Sequence, residues 1–335
     1  MKHNDPKLLL QSAPLLRQEL TTPRAMKEVW LALLPATLAS LWFFGLSALL
    51  LIVVSIAGAV LTEWLFTDKD KRRMAISDSS AGLTGLLLAL TLPPGLPLWM
   101  AFLGAVVSIG LGKVIWGGLG ANIFNPALLG RAFLLGTFPI AMTTWGAPSG
   151  LGDFFHLQSS NLAWPFMHGQ IDALSAATPL GLMKFQQQTT AISSLFIGNT
   201  AGSLGETSAF LLLLGGVYLL IRGSIDWRIP TAIFLTAALF SLAMFINDAD
   251  KYPSPIVTLF SGGLLLGAFF MATDPVTSPL TPKGCWIFGI GVGFLVVLIR
   301  LFGGLPEGML YAVLLMNAAT PLIDRYTQPR IFGRK

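Results

Sequence analysis

The chain has 335 residues, 54% of them hydrophobic and only 11% charged, with a mean hydropathy of +0.71 and a formal net charge of +5. That balance excludes a soluble domain, and because the basic residues sit at the ends of apolar runs, the positive charge reflects membrane topology and not a nucleic-acid partner. A single cysteine, Cys285, and three histidines, His3, His156 and His168, exclude a disulfide framework, a cysteine-ligated cluster held by this chain alone and a bis-histidine haem in the membrane, so any redox centre is organic or shared with a partner.

Residues 1–25 contain short apolar runs broken by Pro6, Pro14 and Pro23 and no small-residue cleavage site. They read as an interfacial arm on the cytoplasmic face, not as a signal peptide. Ten apolar runs follow, at 27–44, 46–66, 79–93, 96–113, 124–142, 207–222, 229–246, 256–273, 285–302 and 308–324, against the roughly 20 residues a bilayer core requires. The third and fourth are short and are interrupted by Pro93, Pro94 and Pro97. The longest polar stretch is 143–206, and 326–335 form a short tail.

The cations sort to one side. Lys27, Lys69, Lys71, Arg72, Arg73, Lys113, Arg222, Arg228, Lys283 and the basic residues of 325–335 share it. Glu206, Asp248, Asp250, Lys251 and Glu307 fall opposite, together with 143–206, whose only cation is Lys184. The positive-inside rule then places both termini in the cytoplasm and 143–206 outside, in the periplasm of a bacterial inner-membrane protein.

An internal repeat at an offset of 182 residues pairs Ser79 with Ser261, Gly85 with Gly267, Thr91 with Thr273, Pro93 with Pro275 and Pro97 with Pro279. Five spans per half is an odd number, so the halves 26–142 and 207–325 are inverted. The expected fold class is an all-α polytopic membrane protein, with about ten transmembrane helices forming two inverted five-helix repeats with broken helices. Such repeats place a binding site at their interface near the midplane. The breaks at Pro93-Pro94 and Asp274-Pro275 are tolerable only where protein, ligand or water covers the freed backbone groups.

Several polar residues stand out. Thr178 precedes Pro179, the pattern of a helix N-cap. Asn122 and Asn125, three residues apart, share one face of a helix start; on the blander reading Asn122 caps span five and Asn125 packs against a neighbouring helix. Arg131, some two turns into an apolar span, cannot face lipid cheaply. Asp274 is either an ion-path carboxylate or a turn residue ending a helix before proline. Glu63, Asp78 and Asp324 are interfacial and solvated by position, and Cys285 is a small packed side chain.

Three segments together resemble the RnfD/NqrB family of membrane flavoproteins: Gly120-Ala-Asn-Ile-Phe-Asn-Pro-Ala-Leu-Leu-Gly-Arg-Ala-Phe133, Asp172-Ala-Leu-Ser-Ala-Ala-Thr178-Pro-Leu-Gly181 and Met271-Ala-Thr-Asp-Pro-Val-Thr-Ser-Pro279. They occur in the family's order, and the resemblance covers residues 25 to 330. The short arm resembles RnfD, of the Rnf electron-transport complex, more than NqrB, of the sodium-pumping NADH:quinone oxidoreductase.

The resemblance implies FMN joined by a phosphoester to the Thr178 hydroxyl, with Asp172 and Ser175 in the recognition pattern of a flavin transferase. Ala176 stands where that pattern usually has glycine. It also implies riboflavin held non-covalently by Asn122 and Asn125, whose amides both donate and accept. Asp274 is then a candidate flavin contact, and Arg131 either neutralises a reduced flavin or pairs with a carboxylate such as Asp274.

The implied function is electron transfer in an NADH:ferredoxin oxidoreductase that moves Na+ or H+. No dinucleotide fingerprint or cysteine cluster appears in the chain, so other subunits are expected to supply those sites. The implied partners are membrane and peripheral Rnf subunits, including a second covalent-FMN subunit, iron–sulfur subunits and an NADH-binding subunit, besides the flavin transferase and membrane lipid. Two rivals are an NqrB-like subunit passing electrons to quinone and a cofactor-free five-plus-five channel or transporter.

Overall fold

The computed structural model describes residues 21–69, 72, 77–148, 154–155, 157–165, 176–249 and 251–329. Most of the expected arm, the tail beyond 329, Asp172 and Ser175 lie outside the described residues. Within them the chain is helical and has no strand.

Helix α1, Thr22–Phe66, has Pro23 in its first turn. A straight helix of 45 residues would be about 68 Å long, roughly twice a hydrocarbon core. It is folded at Gly45, where φ is +56° and ψ −135°. Trp30 and Val60, far apart in sequence, both reach Gly82, so the two halves lie side by side. The Leu46 N–H donates to Phe154 O at 2.9 Å, and a Cβ on residue 45 would collide with that same carbonyl. Only glycine suits both the left-handed φ and the close approach. The fold falls between the first two expected spans.

Helix α2, Ser80–Leu90, is buried at all 11 residues. A helix apolar on every side belongs inside a bundle, and Gly85 sets it against the backbone of Ser55 and Ile56. Helix α3, Leu98–Ile109, runs into a π turn, Gly110–Val114. Helices α4, Pro126–Thr137, and α5, Pro139–Thr143, meet at Phe138. The single span expected at 124–142 is therefore two helices: Pro139 drives Phe138 out of the helical region, to φ −128° and ψ 59°.

In the polar stretch stand α6, Pro179–Gln186, and α7, Ile192–Ile197. Helices α8, Ala209–Arg222, and α9, Arg228–Asn247, follow, then α10, Pro255–Phe260. Helix α11, Leu264–Leu266, continues as a π turn, Gly267–Met271. Here too one expected span, 256–273, is divided, because Gly262 adopts φ +64°. Helices α12, Pro282–Phe302, and α13, Met309–Thr327, complete the chain.

Among the described residues α1, α9 and α12 are long and apolar enough to cross a membrane, and Ser80–Leu90, Leu98–Val114 and Ala209–Arg222 are shorter apolar helices. Leu31, Leu38, Leu235, Leu239, Ile287 and Ile290 are exposed, as a lipid-facing wall requires.

The centre is formed by α2 and the segment 264–271, also buried throughout. Both end in a broken backbone whose freed carbonyls are recovered by protein. Asn161 Nδ2 donates to Pro94 O and Leu96 O, each at 2.9 Å. The Gly205 and Leu204 N–H groups donate to Leu90 O and Leu92 O. On the other break Asn125 Nδ2 donates to Met271 O at 3.2 Å. Each interruption is thus covered from within.

Candidate functional site

Thr178 is the N-cap of α6: its backbone is extended, Pro179 follows, and its Oγ1 accepts the Gly181 N–H at 3.1 Å. The capping pattern read in the sequence is realised. Helix α6 is anchored farther along, where Lys184 Nζ donates to the carbonyls of Arg300, Gly303 and Leu305. Burial, costly for an ammonium, lowers the Lys184 pKa. Leu180 packs on Gly262, beside the Arg300 guanidinium. The hydroxyl therefore stands at the head of a helix fixed to the body of the protein. A Cβ at Gly181 would lie 3.1 Å from Thr178 Oγ1, so glycine there leaves that oxygen uncrowded.

Asn122, Asn125 and Asp274 are brought together. They line one cavity of about 80 Å³ with Ser80, Thr84, Lys113, Phe269, Phe270 and Thr273. The cap expected at Asn122 falls instead on Asn125. Asn122 lies before the helix, and Asn125 is the cap: its Oδ1 accepts from the Ala127 and Leu128 N–H groups at 3.0 and 3.3 Å. Its Nδ2 is also engaged, on Met271 O, so Asn125 holds the broken helix in place with its oxygen filled and one N–H used. Asn122 is buried and makes one long bond, to Phe124 O at 3.4 Å, and its Oδ1 has no partner. Asp274 closes a turn by accepting from the Val276 N–H and the Thr277 hydroxyl, both at 3.3 Å.

Asn125→Ala removes a cap and leaves three buried backbone groups short of a partner. The expected cost is about 2–4 kcal/mol, read as a lower thermal midpoint in detergent.

Arg131 is buried and pairs with carboxylates, one of its two expected roles, though with others than Asp274. Its guanidinium lies 2.6 Å from Glu307 Oε2 and 3.6 Å from Glu206 Oε1. Asp274 is already satisfied by its own turn, whereas Glu206 and Glu307 converge on Arg131 from the segments ahead of α8 and α13. Glu63 is a second correction. It is not solvated but buried, in an ion pair with the equally buried Lys113, which also donates to Ser80 Oγ. Arg300, the remaining buried cation of this group, donates to Thr258 O and Ser261 O at 2.7 and 2.9 Å.

Glu206, Glu307, Arg300 and Lys113 were thus the polar residues overlooked. The available signal was Arg131 itself: an arginine in an apolar run demands a carboxylate, and Glu206 and Glu307 stand directly before expected spans.

A family model described as the NQR2, RnfD, RnfE family matches residues 9–333. Similar proteins include a component of the proton-translocating ferredoxin:NAD(+) oxidoreductase complex of Clostridium ljungdahlii, 41% identical over 97% of this chain and 96% of that protein. A component of the Na(+)-translocating ferredoxin:NAD(+) oxidoreductase complex of Acetobacterium woodii is 42% identical over 98% and 96%. A component of the ion-translocating oxidoreductase complex of Stutzerimonas stutzeri is 45% identical over 93% and 92%.

Proposed function

The chain belongs to the NQR2, RnfD, RnfE family, and from that premise we propose that it is the membrane redox subunit of an ion-translocating ferredoxin:NAD+ oxidoreductase, carrying FMN on Thr178. The observation that carries the reading is the setting of Thr178: a largely buried residue whose hydroxyl heads an anchored helix, with glycine at 181 placing no Cβ against its oxygen. When bound, FMN supplies reversible electron exchange with neighbouring carriers.

The chain's own part is positional. Thr178 supplies the oxygen of the tether, and Pro179 presets the first helical φ. The positive end of the α6 dipole favours the negative charge of a phosphate. Asp172 and Ser175 serve recognition by a flavin transferase.

Riboflavin is the second cofactor of this reading, with Asn122 Oδ1 as an acceptor for a ring N–H. The donor set suits it. The space does not, since about 80 Å³ holds a few waters and a ring would have to part the walls, so no electron step is routed through that site. Asn125 lines the same cavity, its oxygen taken by the cap and one N–H by Met271 O.

The proposed architecture is about ten spans in two inverted halves in a bacterial inner membrane, with both termini cytoplasmic and 143–206 periplasmic. In support, the two central helices end at matching positions of the internal repeat. Thr91 Oγ1 bonds back to Leu88 O at 2.7 Å and Thr273 Oγ1 to Phe269 O at 2.6 Å.

The sites for NADH and ferredoxin belong to partner subunits, among them iron–sulfur subunits and a second covalent-FMN subunit. Overall identity does not choose between Na+ and H+, because relatives named for each ion stand at 42% and 41%.

Mass spectrometry of the peptide 171–184, from cells that make the transferase, is expected to find the added mass of FMN. An unmodified peptide would sink the reading and leave an uncoloured pore as the alternative.

A further inference from the structure

We propose that Glu206 and Glu307 form a proton-binding site, holding one exchangeable proton between their carboxyl groups beside the helix headed by Thr178. The two side chains arrive from separate connections, 201–208 and 303–308, and meet at one arginine of α4. Arg131 donates to Glu307 at 2.6 Å but stays 3.6 Å from Glu206 Oε1. That oxygen is buried and has no hydrogen-bond partner. A buried carboxylate without a donor is costly to keep ionised, and two carboxylates sharing a site do not both ionise readily.

The charged groups facing the pair on the packed elements are few. Arg131 is committed to Glu307. Arg300, on α12, spends its guanidinium on the carbonyls of Thr258 and Ser261. Lys184, on α6, is held by three carbonyls. The segment 261–263 contributes no charge, and its Gly263 has Glu206 Oε1 2.7 Å from where a Cβ would stand. Polar groups without partners gather here: the buried hydroxyl of Ser261 and the Nε atoms of Arg131 and Arg300, while the Ser203 hydroxyl faces Glu206. They are suited to ordered water that would relay a proton.

Access is graded. The Glu206 side chain is 4% exposed and that of Glu307 21%, so a proton enters by way of Glu307.

The direction of each titration agrees. Burial, and then the Glu307 charge, push Glu206 up to about 8. Burial opposes ionisation of Glu307 as well, but Arg131, the hydrogen bond with Glu206 and Arg300 outweigh it and hold Glu307 low. Glu206 thus carries the proton near neutrality and loses it as the pH rises past about 8.

A proton bound close to an electron carrier is stabilised when that carrier gains negative charge, which is the elementary form of coupling between electron and proton. That use of the site rests on the flavin reading of Thr178; the site itself does not.

The test is infrared spectroscopy of the full chain purified in detergent. A protonated-carboxyl C=O band is expected at pH 7, shifted in D2O and lost on alkaline titration. Glu206→Gln should abolish it. Glu307→Gln should move its loss to lower pH, because the neighbouring carboxylate charge is gone while the burial remains. Thr178→Ala should keep it, which separates this site from the flavin reading. Circular dichroism and gel filtration establish that each variant is folded, and Glu307→Gln stands in should Glu206→Gln not be. No exchangeable band at pH 7, a band that survives in a folded Glu206→Gln protein, or one that titrates unchanged in a folded Glu307→Gln protein overturns the proposal.

Discussion

Thr178→Ala is expected to abolish flavin fluorescence from the polypeptide band on a denaturing gel while leaving the protein folded in the membrane. A phosphoester survives denaturation, so the signal reports covalent attachment and nothing else. Alanine removes the only atom through which the tether could be made. The structural cost is that of a helix cap, about 0.5–2 kcal/mol, because Thr178 Oγ1 accepts a single N–H, from Gly181. That helix is also held at its other end by Lys184 and its three carbonyl acceptors. Loss of fluorescence with an unchanged gel-filtration profile is therefore the predicted pair of results. Thr178→Ser, which keeps both hydroxyl and cap, should restore part of the signal. A fluorescent Thr178→Ala band would move the attachment point to another residue.

The largest loss of stability is expected from Arg131→Met. Methionine fills much of the space but leaves two buried carboxyl groups without their cation, and breaking a buried ion pair on one side costs about 3–5 kcal/mol. Thermal unfolding in detergent should show a clearly lowered midpoint. Acid should recover part of it, since protonating the second carboxyl removes the uncompensated charge. The double variant Arg131→Met with Glu307→Gln should be less destabilised than Arg131→Met alone, a coupling that a double-mutant cycle measures directly. An Arg131→Met protein as stable as the parent, or equally unstable at every pH, would show that the guanidinium does not neutralise this pair.

Much of the fold was legible along the chain, because lipid demands long apolar runs and their ends are marked by charge. The division of α1 was readable between 44 and 46, and Gly45 supplies its physical cause. The breaks within 124–142 and 256–273 were missed although Pro139 and Gly262 were in plain view. A proline or glycine in an apolar run is often absorbed by neighbouring helices, so its effect depends on packing.

The site was less legible. Arg131 and Glu307 are 176 positions apart, and no local pattern joins them. Asn122 and Asn125 were found as a pair, but the role of Asn125 depends on Met271 O, a backbone atom 146 positions away. Thr178 was found through its motif, while the features that hold it, Lys184 and the carbonyls near Arg300, follow only from tertiary structure.

Helix α2 separates the two buried ionic groups. Ser80, at one end, meets Lys113; Leu90, at the other, meets Gly205, the neighbour of Glu206. Its sequence, Ser-Ala-Gly-Leu-Thr-Gly-Leu-Leu-Leu-Ala-Leu, has no titratable side chain over a length of roughly 16 Å. It is a low-dielectric wall: a bare ion forced into it would meet a Born penalty on the order of 20 kcal/mol. A bare ion therefore finds no route along the axis of α2 itself.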